Sequence, residues 1–69
     1  MTWVIHKGNR KHLYNLNSCI EISLSDNEII LWYVDRDKIK LTFETESEAS
    51  QAFVYLRESI KRGEKLLNI

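Results

Sequence analysis

The longest uninterrupted apolar run in the chain is Ile29-Ile30-Leu31-Trp32-Tyr33-Val34. Successive strand side chains point to opposite faces, so such a run predicts a strand that needs cover on both sides. Its neighbours alternate instead. Ile20, Ile22 and Leu24 are interleaved with Glu21, Ser23 and Ser25, and Ile39, Leu41 and Phe43 with Lys38, Lys40 and Thr42. Each reads as a strand with one dry and one wet face. The pattern places strands at about 19–25, 28–34 and 38–43.

Register follows from the turns, because a slip of one residue exchanges the faces. A two-residue loop Asp26-Asn27 pairs Leu24 with Ile29, Ile22 with Leu31 and Ile20 with Tyr33. A two-residue loop after Val34 would turn the core set outward. A three-residue loop Asp35-Arg36-Asp37 keeps it inward, pairing Tyr33 with Ile39 and Leu31 with Leu41. The outer face then carries Trp32 between Glu21 and Lys40, with Ile30 and Val34 above and below it.

Upstream, Trp3-Val4-Ile5-His6 and His12-Leu13-Tyr14 read as a hairpin with strands at about 2–6 and 11–16. Gly8-Asn9 is its tight turn, with Gly8 free to take positive φ. Asn15-Leu16-Asn17-Ser18 is a connection whose side chains bond their own backbone. Downstream, Thr45-Glu46-Ser47-Glu48 is a capping box: Thr45 accepts from the third helical amide and Glu48 reaches back. A helix is expected over 46–62, with Ala49, Ala52, Phe53, Leu56 and Ile60 as its apolar stripe. Lys61, Arg62 and Gly63 end it, because bases suit the negative helix terminus and glycine takes the left-handed cap. Residues 63–69 form an apolar tail, with Leu66, Leu67 and Ile69 expected to dock. The fold class is α+β: an antiparallel β-meander of four to five strands with one C-terminal α-helix packed on one sheet face, in a single domain spanning 1–69. In outline alone it resembles the dimeric single-strand-binding regulators of the transcriptional-coactivator type and the end of pleckstrin-like domains. The chain lacks a diagnostic run from either, so no function transfers.

A domain of 69 residues buries only about 60% of the surface its unfolded chain exposes, so added stabilisation from a partner is expected. With 43% hydrophobic and 29% charged residues the chain is too apolar for a disordered segment. Cys19 is the only cysteine, which excludes an internal disulfide and fits a reducing compartment. No apolar leader and no 18-residue apolar stretch is present, so a cytoplasmic location and no membrane partner are expected. Net charge is zero, yet residues 1–20 carry Lys7, Arg10 and Lys11 with no acid. One end of the molecule is basic.

Candidate chemistry is thin. His6, His12 and Cys19 are three donors without metal-ligand spacing, and Cys19 suits a small buried hydrophobe. A Cys19–His12 nucleophilic pair lacks an orienting third group. No enzymatic activity, metal or cofactor is therefore expected. Two surfaces remain. The apolar strip Ile30, Trp32 and Val34 exceeds what one helix covers and marks an interface, unless the N-terminal hairpin folds over it and closes a small barrel lined by Trp3, Val4 and Ile5. The second combines bases with aromatics: Trp3, Lys7, Arg10, Lys11 and Tyr14 in the hairpin, and Trp32, Lys38 and Lys40 on the sheet. Such sets stack single-stranded bases and follow their phosphates, although Trp3 and Tyr14 as a cross-strand pair and Lys38 and Lys40 as solubilising charges serve a fold equally well. The expected function is a non-catalytic protein-interaction module, self-associating through the outer sheet face or binding another protein. The alternative is a single-stranded nucleic-acid-binding regulatory domain.

Overall fold

A computed structural model describes residues 2–34 and 37–69. The element order is β1 (Trp3–His6), β2 (Asn9–Asn15), a 3₁₀ turn (Leu16–Ser18), β3 (Cys19–Ser25), β4 (Glu28–Tyr33), β5 (Ile39–Thr42), α1 (Glu46–Arg62) and β6 (Leu66–Asn68). The α+β class and the antiparallel ladders stand as expected. Their arrangement differs from a single meander. Two three-stranded sheets form, in the orders β2-β1-β6 and β3-β4-β5, and neither closes into a barrel.

The apolar tail supplies the difference. It leaves the helix through Gly63, whose φ of 75° and ψ of 30° are left-handed. The Gly63 amide donates to the carbonyl of Ile60 and the Glu64 amide to that of Ser59, at 3.0 and 3.1 Å. The chain reverses there and runs parallel to β1, with Val4 opposite Leu67. Both of those side chains are fully buried. A Cβ at position 63 would meet nothing within 4 Å, so Gly63→Ala isolates the backbone term. It is expected to cost about 1–2 kcal/mol in urea unfolding.

The break between the sheets falls at the expected connection. Asn15 accepts from the Asn17 amide at 2.9 Å through its own side chain, which starts the 3₁₀ turn. Among the described residues, the bonds that tie the sheets together include the Tyr33 hydroxyl donating to the Asn15 carbonyl at 3.1 Å and His6 Nε2 lying 2.9 Å from the Thr42 carbonyl. A carbonyl only accepts, so Nε2 carries the His6 proton. The His6 ring, 6% exposed, packs 4.8 Å from Phe43.

Gly8 serves this histidine. The hairpin turn is Lys7-Gly8, because His6 pairs with Asn9, and the positive-φ positions among the described residues are Asp26 and Gly63. A Cβ on Gly8 would sit 3.1 Å from His6 Nε2, so glycine is needed for close approach and not for φ. Since the ring is held on both sides, Gly8→Ala should lower the thermal midpoint by a few degrees, about 1 kcal/mol for a domain of this size. A midpoint within error of wild type would show that the ring gives way.

The central hairpin keeps the expected register over most of its length: Leu24 faces Ile29 and Ile22 faces Leu31 across Asp26-Asn27. It slips at the far end. Tyr33 pairs with Cys19, and Ile20 becomes the extra residue of a β-bulge, 66% exposed instead of in the core. On the other side Leu31 pairs with Ile39 and Ile29 with Leu41, two residues from the expected register. An even shift preserves the faces, so the core set stays inward while the β4–β5 connection lengthens. Asp35 and Arg36 of the expected three-residue loop lie outside the described residues.

The core joins both sheets and the helix: Val4, Leu16, Leu67 and Ile69 with Ile29, Leu31, Leu41, Phe43, Ala49 and Leu56. Val4 therefore lines the inner core and not a barrel over the outer face. The helix begins as expected, with Thr45 Oγ1 accepting from the Glu48 amide at 3.1 Å. Glu48 does not complete the box. Its carboxylate pairs with Lys7 at 3.0 Å, across to the hairpin turn. The buried helix residues are Ala49, Leu56 and Ser59, whereas Ile60 is 42% exposed. The expected stripe is rotated, because the chain after the helix returns as β6 and carries the core to the Ser59 side.

Candidate interaction surface

The expected basic and aromatic set is only partly brought together. Lys7 is paired with Glu48, and Arg10 and Lys11 lie on β2, an edge strand of the first sheet. Trp3 faces Asn15 and Tyr14 faces Val4, so the two aromatics are not the cross-strand pair expected. Both line a cleft of about 310 Å³ with Leu13, Tyr33 and Ile39. Tyr33 also borders a second depression with Trp32, Asp37, Lys38 and Lys40. The ammonium of Lys38 lies 4.9 Å from the Trp32 ring centroid, so it covers a ring face on which a base would stack.

The outer strip covers itself. Trp32 Nε1 donates to Ser23 Oγ at 3.0 Å, and Ser23 is the partner of Ile30 in the ladder. Reaching Ser23 lays the indole alongside Ile30, with Lys40 on the other flank. Ile30 is consequently 9% exposed and Trp32 half-buried, and only Val34, at 77%, stands open.

A different apolar surface is open, along β3. This strand is the edge of its sheet, and Ile20, Leu24 and Ile60 are all exposed beside it. One groove between strand and helix is lined by Ile22, Phe53, Leu56, Arg57 and Ile60. A second continues from Ile22 and Ile60 past Ile20 towards Leu16 and Thr2. The shared Ile22 and Ile60 make them one furrow. The alternation of β3 was visible in sequence, but its exposure was not: Ile20, Ile22, Leu24 and Ile60 read as core until the helix is placed. The available signal was the lack of lysine or proline in Cys19–Ser25, the residues that usually protect an edge.

His6, His12 and Cys19 do not converge: His6 bonds Thr42, His12 stacks on Tyr14 at 6.2 Å, and Cys19 lies against Tyr33. Among the described residues no cluster suited to a metal ion is present, and no helix is long and apolar enough to cross a membrane. Burial pushes the Cys19 thiol up from its ordinary value, while the hydrogen bond with Tyr33 opposes the shift. A raised folded value means stability that is complete below the unfolded thiol's value and lost as pH rises through the folded one. Urea midpoints from about pH 7 to about pH 10 should show this loss in wild type. Cys19→Ala should lack that component.

The fold defines a small α+β domain of two sheets and one helix. No known protein family, curated protein or solved structure matches the chain.

Proposed function

We propose that this chain is a small non-catalytic interaction module that acts by self-association, with its contact surface on the β3 edge instead of the outer sheet face. The observation that carries this reading is the seven-residue edge strand β3, with one side not paired to another described strand, lying beside an open apolar furrow. An exposed edge is a template for another strand, and an apolar furrow beside it gains by burial. A domain this small also benefits from the added core. Sedimentation velocity over about 1–300 µM tests it, the range in which interfaces of modest size associate. A rising weight-average mass is expected; a monomer throughout ends the reading.

Binding of single-stranded nucleic acid is favoured by one observation, the approach of the Trp3–Tyr14 cleft to Trp32, Lys38 and Lys40 through Tyr33. Pairing of Lys7 with Glu48 and the position of Lys38 over Trp32 weigh against it. Titration with mixed-sequence single-stranded DNA should therefore give no saturable quenching of tryptophan emission. Quenching that weakens steeply with salt, and disappears in Lys38→Ala/Lys40→Ala, would reverse the ranking.

A further inference from the structure

We infer that two copies of this chain join β3 to β3 in antiparallel register about a two-fold axis at Ile22, making one continuous six-stranded sheet; the inference rests on the self-association proposed above. A two-fold contact places residue i against j and j against i. Directly opposed residues of an antiparallel pair share a face, so the two numbers must have an even sum. The strand runs from Cys19 to Ser25. Ile22 is its middle residue, so the register centred there overlaps the most residues, with the bulge between Cys19 and Glu21 falling at each end. Seven residues at about 3.3 Å each make an edge of about 23 Å, comparable with the molecule's 28 × 27 × 22 Å extents.

The side chains suit that register. Ile22 meets its own copy, and Ile20, the bulge residue, comes opposite Leu24, which brings together the exposed apolar residues of both edges. On the outer face Glu21, the only charge in the strand, meets Ser23. The Ser23 oxygen already accepts from Trp32 Nε1, so its hydroxyl proton is free to donate to the partner's carboxylate. The contact occurs twice by symmetry. Centring the axis one residue earlier would oppose Glu21 to its own copy, two like charges face to face. Backbone groups are available as well: every second residue of an edge strand directs its N–H and C=O away from its neighbour. Among the described residues, 20–25 make no backbone hydrogen bond outside the β3–β4 ladder.

The test is a charge reversal read by sedimentation equilibrium, with circular dichroism confirming the fold. Ser23→Glu sets two carboxylates opposite each other and should weaken association about tenfold or more, whereas Glu21→Lys/Ser23→Glu should restore it to near wild type. If Ser23→Glu does not fold, amide exchange of the wild type decides: Ile22 and Leu24 should become protected as concentration rises, and unchanged exchange overturns the pairing. A wild-type dimer indifferent to Ser23→Glu, or a double variant no better than the single, also overturns the pairing. Dissociation of such a dimer by Trp32→Lys would move the contact to the outer face and leave self-association standing. A monomeric wild type sinks both.

Discussion

Leu31→Ala is expected to lower the free energy of unfolding by about 2–5 kcal/mol, the largest effect of any single truncation in the sheet. Leu31 is fully buried in the middle of β4, opposite Ile22 on one side and Ile39 on the other. The helix packs over this strand, so little can collapse into the space that three removed carbons would leave. Phe53→Ala makes the informative comparison. Although larger, Phe53 is only half-buried and borders the furrow beside β3, so its loss should cost less than that of Leu31. Lys40→Ala should cost under about 1 kcal/mol, as exposed positions do. Urea midpoints with unchanged slopes check the order Leu31, Phe53, Lys40. Equal losses at all three would contradict the placement of the core.

A chain ended after Glu64 is expected not to fold cooperatively. Leu67 and Ile69 together bury two large side chains, about 3–6 kcal/mol of transfer free energy, which rivals the whole stability expected of a domain this size. Removing them also strips the parallel partner from β1 and leaves its central strand exposed along one side. The loss of the Trp3 amide bond to the Lys65 carbonyl, 2.8 Å long, adds to this. Circular dichroism during heating should show a broad transition without a defined midpoint. A sharp melt close to that of the full chain would mean that the two ends contribute little.

The parts of the fold legible in sequence are those in which neighbours decide. The helix limits of 46 and 62 follow from Thr45 and Gly63, each acting on residues within one turn. The face assignment of β3, β4 and β5 follows from alternation, and it survived a two-residue error in register because parity fixes which side is dry. Ile20 was misplaced because a bulge adds a residue without altering the alternation around it. β6 was unreadable as a strand, since three residues show no period and their partner lies at the other end of the chain. The partial cover of the outer strip is not legible for a related reason. A run of apolar residues reports how much cover a strand asks for, but not that Trp32 and its lysine neighbour provide that cover themselves. Nor does alternation report that Ile60 looks over an edge.

The parallel pairing of the first strand with the last gives the chain a waiting period during synthesis. Leu67 is added about 3–13 s after its partner Val4 at elongation rates of 5–20 residues per second. In that interval β1 has only β2 beside it. The nascent domain therefore passes through a stage in which a half-finished sheet, rich in Trp3, Val4 and Ile5, is open to whatever strand comes first.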